Sequence, residues 1–296
     1  MAATLCRVAA AARLGVVRGA ARAPAAASAA VALATAAAAT PLTFGVHAAA
    51  KVSGSGRAGY SSQAAQFSGV DAATRFADLM RSEAAPAEAQ AVLDFWFEYK
   101  EGEAIDQRMW WWVSSDETDA AIRAKFETLV QKAQAGGQPA LHNHPHYPTD
   151  TGLKDWEDTF TGSIAKIILL DQFSRNLYRG TAQAFAGDAE ACRISLALLD
   201  RFPTFTSDQS LPVPVRHFAI MPLEHSEDPD LHRRVILHCG AILQGQDGLL
   251  VKAAWEHFEV MTRFGRYPHR NKVLGRTNTD AEEAYLNDPD AKSWGQ

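Results

Sequence analysis

The residues best suited to chemistry in this 296-residue sequence fall in three short clusters. In "MPLEHSEDPD", residues 221–230, His225 stands among Glu224, Glu227, Asp228 and Asp230, between two prolines. A carboxylate beside an imidazole can orient it as a general base, and such a set could also hold a divalent cation. Neither Glu-x-x-His nor His-Glu-x-x-His spacing occurs, so no metal ligands are assigned and no cofactor is expected. The acids before Pro229 equally suit a helix N-terminus, where they complement its dipole. His225 and Glu227 are the candidate catalytic pair.

The second cluster is "DQFSRNLYRG", residues 171–180. Asp171, Arg175 and Arg179 recur every fourth residue, so all three can share one helix face. They could tie helices together as ion pairs or take part in a ligand site. The third is "RFGRYPHRNKVLGR", residues 263–276, with four arginines, a lysine and a histidine and no acid. Arg266, Arg270 and Arg276 offer planar forks suited to phosphate or carboxylate. Gly265 and Gly275 would let backbone amides approach a ligand. Tyr267, Pro268, Val273 and Leu274 interleave with the charges, which predicts an ordered turn, and its arginines should seek the acids of the 221–230 cluster.

These clusters interrupt a pattern that is helical nearly throughout from Glu83. "AEAQAVLDFWF" follows Pro86 and runs to Phe97. Ser114 with Glu117 reads as a capping box, and Ile122, Phe126, Leu129, Val130 and Ala133 then share one face. "SIAKIILLDQF" is apolar almost all round, as a buried central helix would be. Asp188 opens another helix, "DLHRRVILHCGAIL" and "LLVKAAWEHFEVMTRFG" are two more, and Thr279 with Glu282 caps a last one. No strand alternation or fixed-period repeat is visible. The expected fold is all-α, built of antiparallel helical hairpins, as a single domain over residues 83–290. The "HNHPHYP" loop, residues 142–148, reads as a surface segment in preference to a metal site.

No acidic residue precedes Asp71, whereas six basic residues do, among abundant alanine and scattered serine. Residues 1–70 therefore read as an organelle transit peptide and leader, mitochondrial in preference to plastid. Of 29 basic and 34 acidic residues, removal of that leader leaves 23 against 34, a net charge of −11. So acidic a domain is a poor match for a nucleic-acid backbone. No apolar run approaches the ~20 residues of a membrane span. Cys192 and Cys239 sit in apolar helical patterns without Cys-x-x-Cys spacing and read as reduced core residues.

"VLDFWF", "LLDQFSRNLYRGTAQAFAGD", "MPLEHSED", "RFGRYPHRNKVLGR" and "TDAEEAYL" resemble, in this order, the domain of unknown function 924 family. The resemblance covers about residues 87–286 and implies a tetratricopeptide-like helical array of mostly bacterial proteins with no established activity. Its pattern includes Asp171, Gln172, Phe173, Arg175, Asn176, Arg179 and Gly180, then His225, Ser226 and Glu227. It closes on Phe264, Gly265, Arg266, Pro268, His269, Arg270 and Asn271. Ser174 replaces the family's usual proline, and His232 a common glutamine.

Together these readings give a groove for a small anionic ligand or acidic peptide. Asp171, Arg175, Asn176, Arg179, Arg266, His269, Arg270 and Asn271 would bind it, facing His225 and Glu227. The alternatives are a small-molecule hydrolase or lyase with His225 as general base, and a tetratricopeptide-like peptide-binding adaptor.

Overall fold

The computed structural model describes residues 68–135, 152–243 and 249–292. The leader up to residue 67 and the 142–148 loop lie outside them. All described residues belong to one compact unit, Ser62–Gln296. Among them there is no strand, and the fold is all-α. No described helix is long and apolar enough to cross a membrane.

The first helix, α1 (Gly69–Ser82), lies upstream of the domain start expected at residue 83. Ser68 caps it, with Asp71 completing a capping box, and Ala73, Phe76, Ala77 and Met80 bury one face at spacings of 3, 1 and 3. The helix is part of the core: the Phe76 ring meets Phe97 edge-on at 5.7 Å. Helix α2 (Ala87–Phe97) follows, and a 3₁₀ turn (Met109–Trp111) then leads to α3 (Asp116–Gln134). The cap of α3 is Ser115, whose hydroxyl accepts from the Thr118 amide, one residue later than the expected Ser114–Glu117 box. Ile122, Phe126, Val130 and Ala133 are its buried face.

The central helix is less regular than its sequence suggests. Helix α4 (Phe160–Ile167) opens into a π-helical segment (Ile168–Phe173) before α5 (Ser174–Leu177) completes it. Such wide turns often mark functional positions, and this one carries Asp171. Phe173 packs here on Phe95, Trp96 and Phe126, with centroids 5.0–5.9 Å away.

Beyond it come α6 (Asp188–Arg201), the short α7 (Val213–Phe218) and α8 (Met221–His225), then α9 (Pro229–Leu243) and α10 (Leu249–Phe264). Helices α9 and α10 pack along each other as a hairpin, and α8 is wedged against α6 and α9. Gly265 ends α10 in the left-handed region, φ 68°, its amide bonded to the Met261 carbonyl. That is the usual helix-terminating role of glycine. The arginine-rich tract is the ordered turn its composition predicts, built on a 3₁₀ turn (Pro268–Arg270) with Tyr267 fully buried. Gly275, φ 65°, closes it, and α11 (Asp280–Leu286) starts from the expected Thr279–Glu282 capping box.

Candidate active site

Asp171 is completely buried in the π-helical segment. Its Oδ1 lies 2.7 Å from His225 Nδ1, its Oδ2 accepts from Gln172 Nε2 at 2.5 Å, and Arg175 Nη1 approaches to 3.1 Å. Burial pushes the carboxyl pKa up. The Arg175 guanidinium and His225 outweigh that and hold it well below the usual carboxylate range. An ionised acceptor assigns the proton to Nδ1 of His225, leaving the lone pair on Nε2 in the neutral ring. His225 closes α8, its side chain is 12 % exposed, and its Nε2 makes no hydrogen bond among the described residues.

Two arginines brace this pair. Arg175 grips Asp188, the first residue of α6, through two bonds of 3.0 Å, and its Nη1 also donates to the Asp171 carbonyl. Arg270 donates to Asp188 and to the His225 carbonyl, each at 3.1 Å. The Arg270 guanidinium lies over both the Phe185 and Tyr267 rings, 4.6 Å from each centroid. The backbone of His225 is thereby fixed from one side and its ring from the other.

Glu227, expected to act with His225, is engaged differently. Arg276 holds it bidentately at 2.7 and 3.0 Å, and the Tyr267 amide donates to it at 2.9 Å. Burial raises its pKa, but Arg276 and the Tyr267 amide bring it below the ordinary value. Asp171, assigned from the sequence to ligand binding, is the carboxylate that orients His225. The Tyr267 hydroxyl donates to the Glu224 carbonyl, joining the arginine-rich turn to α8.

The other sequence-predicted residues divide. Arg175 and Arg270 converge beside His225. Asn176 and Arg179 both reach Asp119 in α3, at 2.8 and 3.3 Å. Arg266 binds Glu282 of α11 and the Thr277 carbonyl, while buried Asn271 donates to Asn278 at 2.8 Å. The His269 ring packs 5.4 Å from Tyr267. Sequence reasoning missed Asp188, Phe185 and Asp119. Asp188 was read only as a helix start, and the signal available was that buried arginines require carboxylates.

Around His225 the charges nearly balance: Asp171, Asp188, Glu224 and Glu227 face Arg175, Arg270 and Arg276. A groove of about 600 Å³ lies elsewhere, lined by Leu79, Phe160, Phe202, Phe205 and Leu211 among others, and shares no residue with this cluster.

Residues 92–290 match the family described as bacterial protein of unknown function (DUF924). The fold is similar to that of a protein of unknown function, ATU0120, from Agrobacterium tumefaciens. The two share 29% sequence identity at a TM-score of 0.52, over 68% of this chain and 97% of that one. No curated protein matches.

Proposed function

We propose, for a chain that belongs to the DUF924 family, an enzymatic role: a small-molecule hydrolase or lyase in which His225 Nε2 is the general base and Asp171 its positioning partner. The observation that carries this reading is the 2.7 Å bond from His225 Nδ1 to a buried, ionised carboxylate, with no hydrogen bond to Nε2 among the described residues. A carboxylate on one ring nitrogen fixes the tautomer and stabilises the imidazolium formed when the other nitrogen takes a proton. Arg270 on the His225 carbonyl and Arg175 on Asp171 keep both groups in register.

Hydrolysis of p-nitrophenyl acetate and p-nitrophenyl phosphate by wild type, His225→Ala and Asp171→Asn is the test, with circular dichroism to verify folding. General base catalysis is worth about 10²–10⁴-fold, so His225→Ala should lose about 10²-fold or more on the ester or phosphoester turned over. Asp171→Asn should fall between the two. A wild-type rate equal to that of His225→Ala overturns the reading.

A second reading, an anionic ligand beside His225, draws on one feature: Arg175 and Arg270 both reach the Asp188 carboxylate, while Arg175 also faces Asp171. Asp188 already occupies the Arg175 fork and Nη1 of Arg270, so a phosphate or carboxylate that takes both arginines must displace it. If Asp188→Asn fails to strengthen phosphate binding in calorimetry, that reading loses its support.

For localisation we propose the mitochondrion, from the acid-free, arginine-bearing composition of residues 1–70. Those residues fused to a fluorescent protein should direct it to mitochondria; accumulation in plastids or the cytosol would contradict this.

A further inference from the structure

Three helices that look unrelated in sequence deliver one donor atom each to a single buried point. Helix α7 brings His217, α8 brings Glu224 and α9 brings Cys239, all at most 4 % exposed. Their nearest ligand-type atoms lie within 4.8 Å of one another. His217 Nε2 is 3.4 Å, and Cys239 Sγ 3.5 Å, from the same oxygen, Glu224 Oε1.

As hydrogen bonds these contacts are poor. A charge-assisted N–H···O bond closes to ~2.7–2.9 Å, and nothing in the sequence spacing obliges a thiol to join the pair. As two edges of a coordination tetrahedron they fit; the third, between the His217 nitrogen and Cys239 Sγ, lies within 4.8 Å and closes to ~3.6 Å around a bound ion. Bonds of ~2.3 Å to sulfur, ~2.05 Å to imidazole nitrogen and ~2.1 Å to carboxylate oxygen, set at the tetrahedral angle, separate N from O by ~3.4 Å and S from O by ~3.6 Å. One thiolate, one imidazole and one carboxylate form a borderline donor set, suited to zinc-class ions and not to magnesium or calcium, which take oxygen ligands.

We propose that His217, Glu224 and Cys239 form a binding site for one divalent transition-metal ion of the zinc class. As the Sγ–metal bond forms, the Cys239 S–H bond breaks and its proton passes to solvent; imidazole and carboxylate bind through lone pairs without change of oxidation state. Three protein ligands leave the fourth position to water or to the second oxygen of Glu224. The site adjoins the Asp171–His225 pair: Glu224 precedes His225 on α8 and belongs to the charges around it, but His217 and Cys239 take no part in that pair.

The test is Co²⁺ titration of the metal-stripped full-length protein, followed by absorption and by proton release in weak buffer. One equivalent of Co²⁺ should raise a near-ultraviolet thiolate-to-cobalt charge-transfer band, release protons and be displaced by Zn²⁺. The band should persist in Cys6→Ser and Cys192→Ser and vanish in Cys239→Ser and His217→Gln. Absence of the band in wild type overturns the proposal whatever the variants do, and so does a band retained by Cys239→Ser. Should Cys239→Ser not fold, the wild-type band and its loss in His217→Gln decide the matter.

Discussion

The position of single side chains here is decided by which charge finds which partner. His225 and Asp171 are 54 residues apart, yet they meet at 2.7 Å, whereas Glu227, two residues from His225, turns to Arg276 and Tyr267. Proximity in sequence made Glu227 the natural candidate to orient the imidazole. A buried arginine's demand for a carboxylate claimed it instead. The residue types of the candidate site were therefore legible in the sequence, but their pairing was not, because pairing depends on helices that meet only in the fold. The Arg266–Glu282 pair shows the same selectivity with a measurable consequence. The Arg266 hydrogen bond, aided by the Thr279 cap, lowers the Glu282 pKa from 4.5 to about 2. A carboxyl depressed in the folded state stabilises above its unfolded pKa, and that contribution fades as pH falls from 4.5 towards 2. With Arg266 partly exposed, screening limits the effect to about 1 kcal/mol. Glu282→Gln should lower the melting temperature at pH 7 and make progressively less difference as pH falls through 2; equal melting temperatures at pH 7 would contradict the pairing.

At the scale of elements, capping and periodicity were reliable where they were local. The Thr279–Glu282 box, the apolar face of α3 and the glycine stop at Gly265 all stand in the structure as their residues suggest. Helix α1 shows how a stronger signal can mask a weaker one. Its Ser68–Asp71 box and its Ala73, Phe76, Ala77, Met80 stripe follow the same rules, but the acid-free tract before Asp71 drew the leader boundary across them. The π-helical segment was illegible, since "SIAKIILLDQF" offers no proline or glycine to announce an irregular turn. The central helix also carries Lys166, fully buried and bonded to Glu157 at 2.7 Å, with Glu190 at 3.7 Å and Arg193 bridging the two acids. Removing one member of a buried ionic group leaves its partner charge unpaired. Lys166→Met should cost about 3 kcal/mol in urea unfolding; a change under about 1 kcal/mol would mean that Arg193 alone neutralises both acids.

At the scale of the molecule, the all-α class and the family followed from helical periodicity and from motifs that keep their order along the chain. The net charge left after the leader argued against a nucleic-acid partner, and Arg266, Arg270 and Arg276 of the arginine-rich turn are spent internally, on Glu282, Asp188 and Glu227. What those ion pairs achieve together is to set α6, α8 and the 263–276 turn around one imidazole. The chemistry proposed for the Asp171–His225 pair depends on the state of that ring. Long-range ¹H–¹⁵N NMR of the imidazole groups in wild type and His225→Gln reads it directly. The account predicts that the His225 signals belong to the Nδ1-protonated form, with a strongly downfield Nδ1 proton that Asp171→Asn shifts upfield. An Nε2-protonated ring, or an Nδ1 proton indifferent to Asp171→Asn, would contradict it.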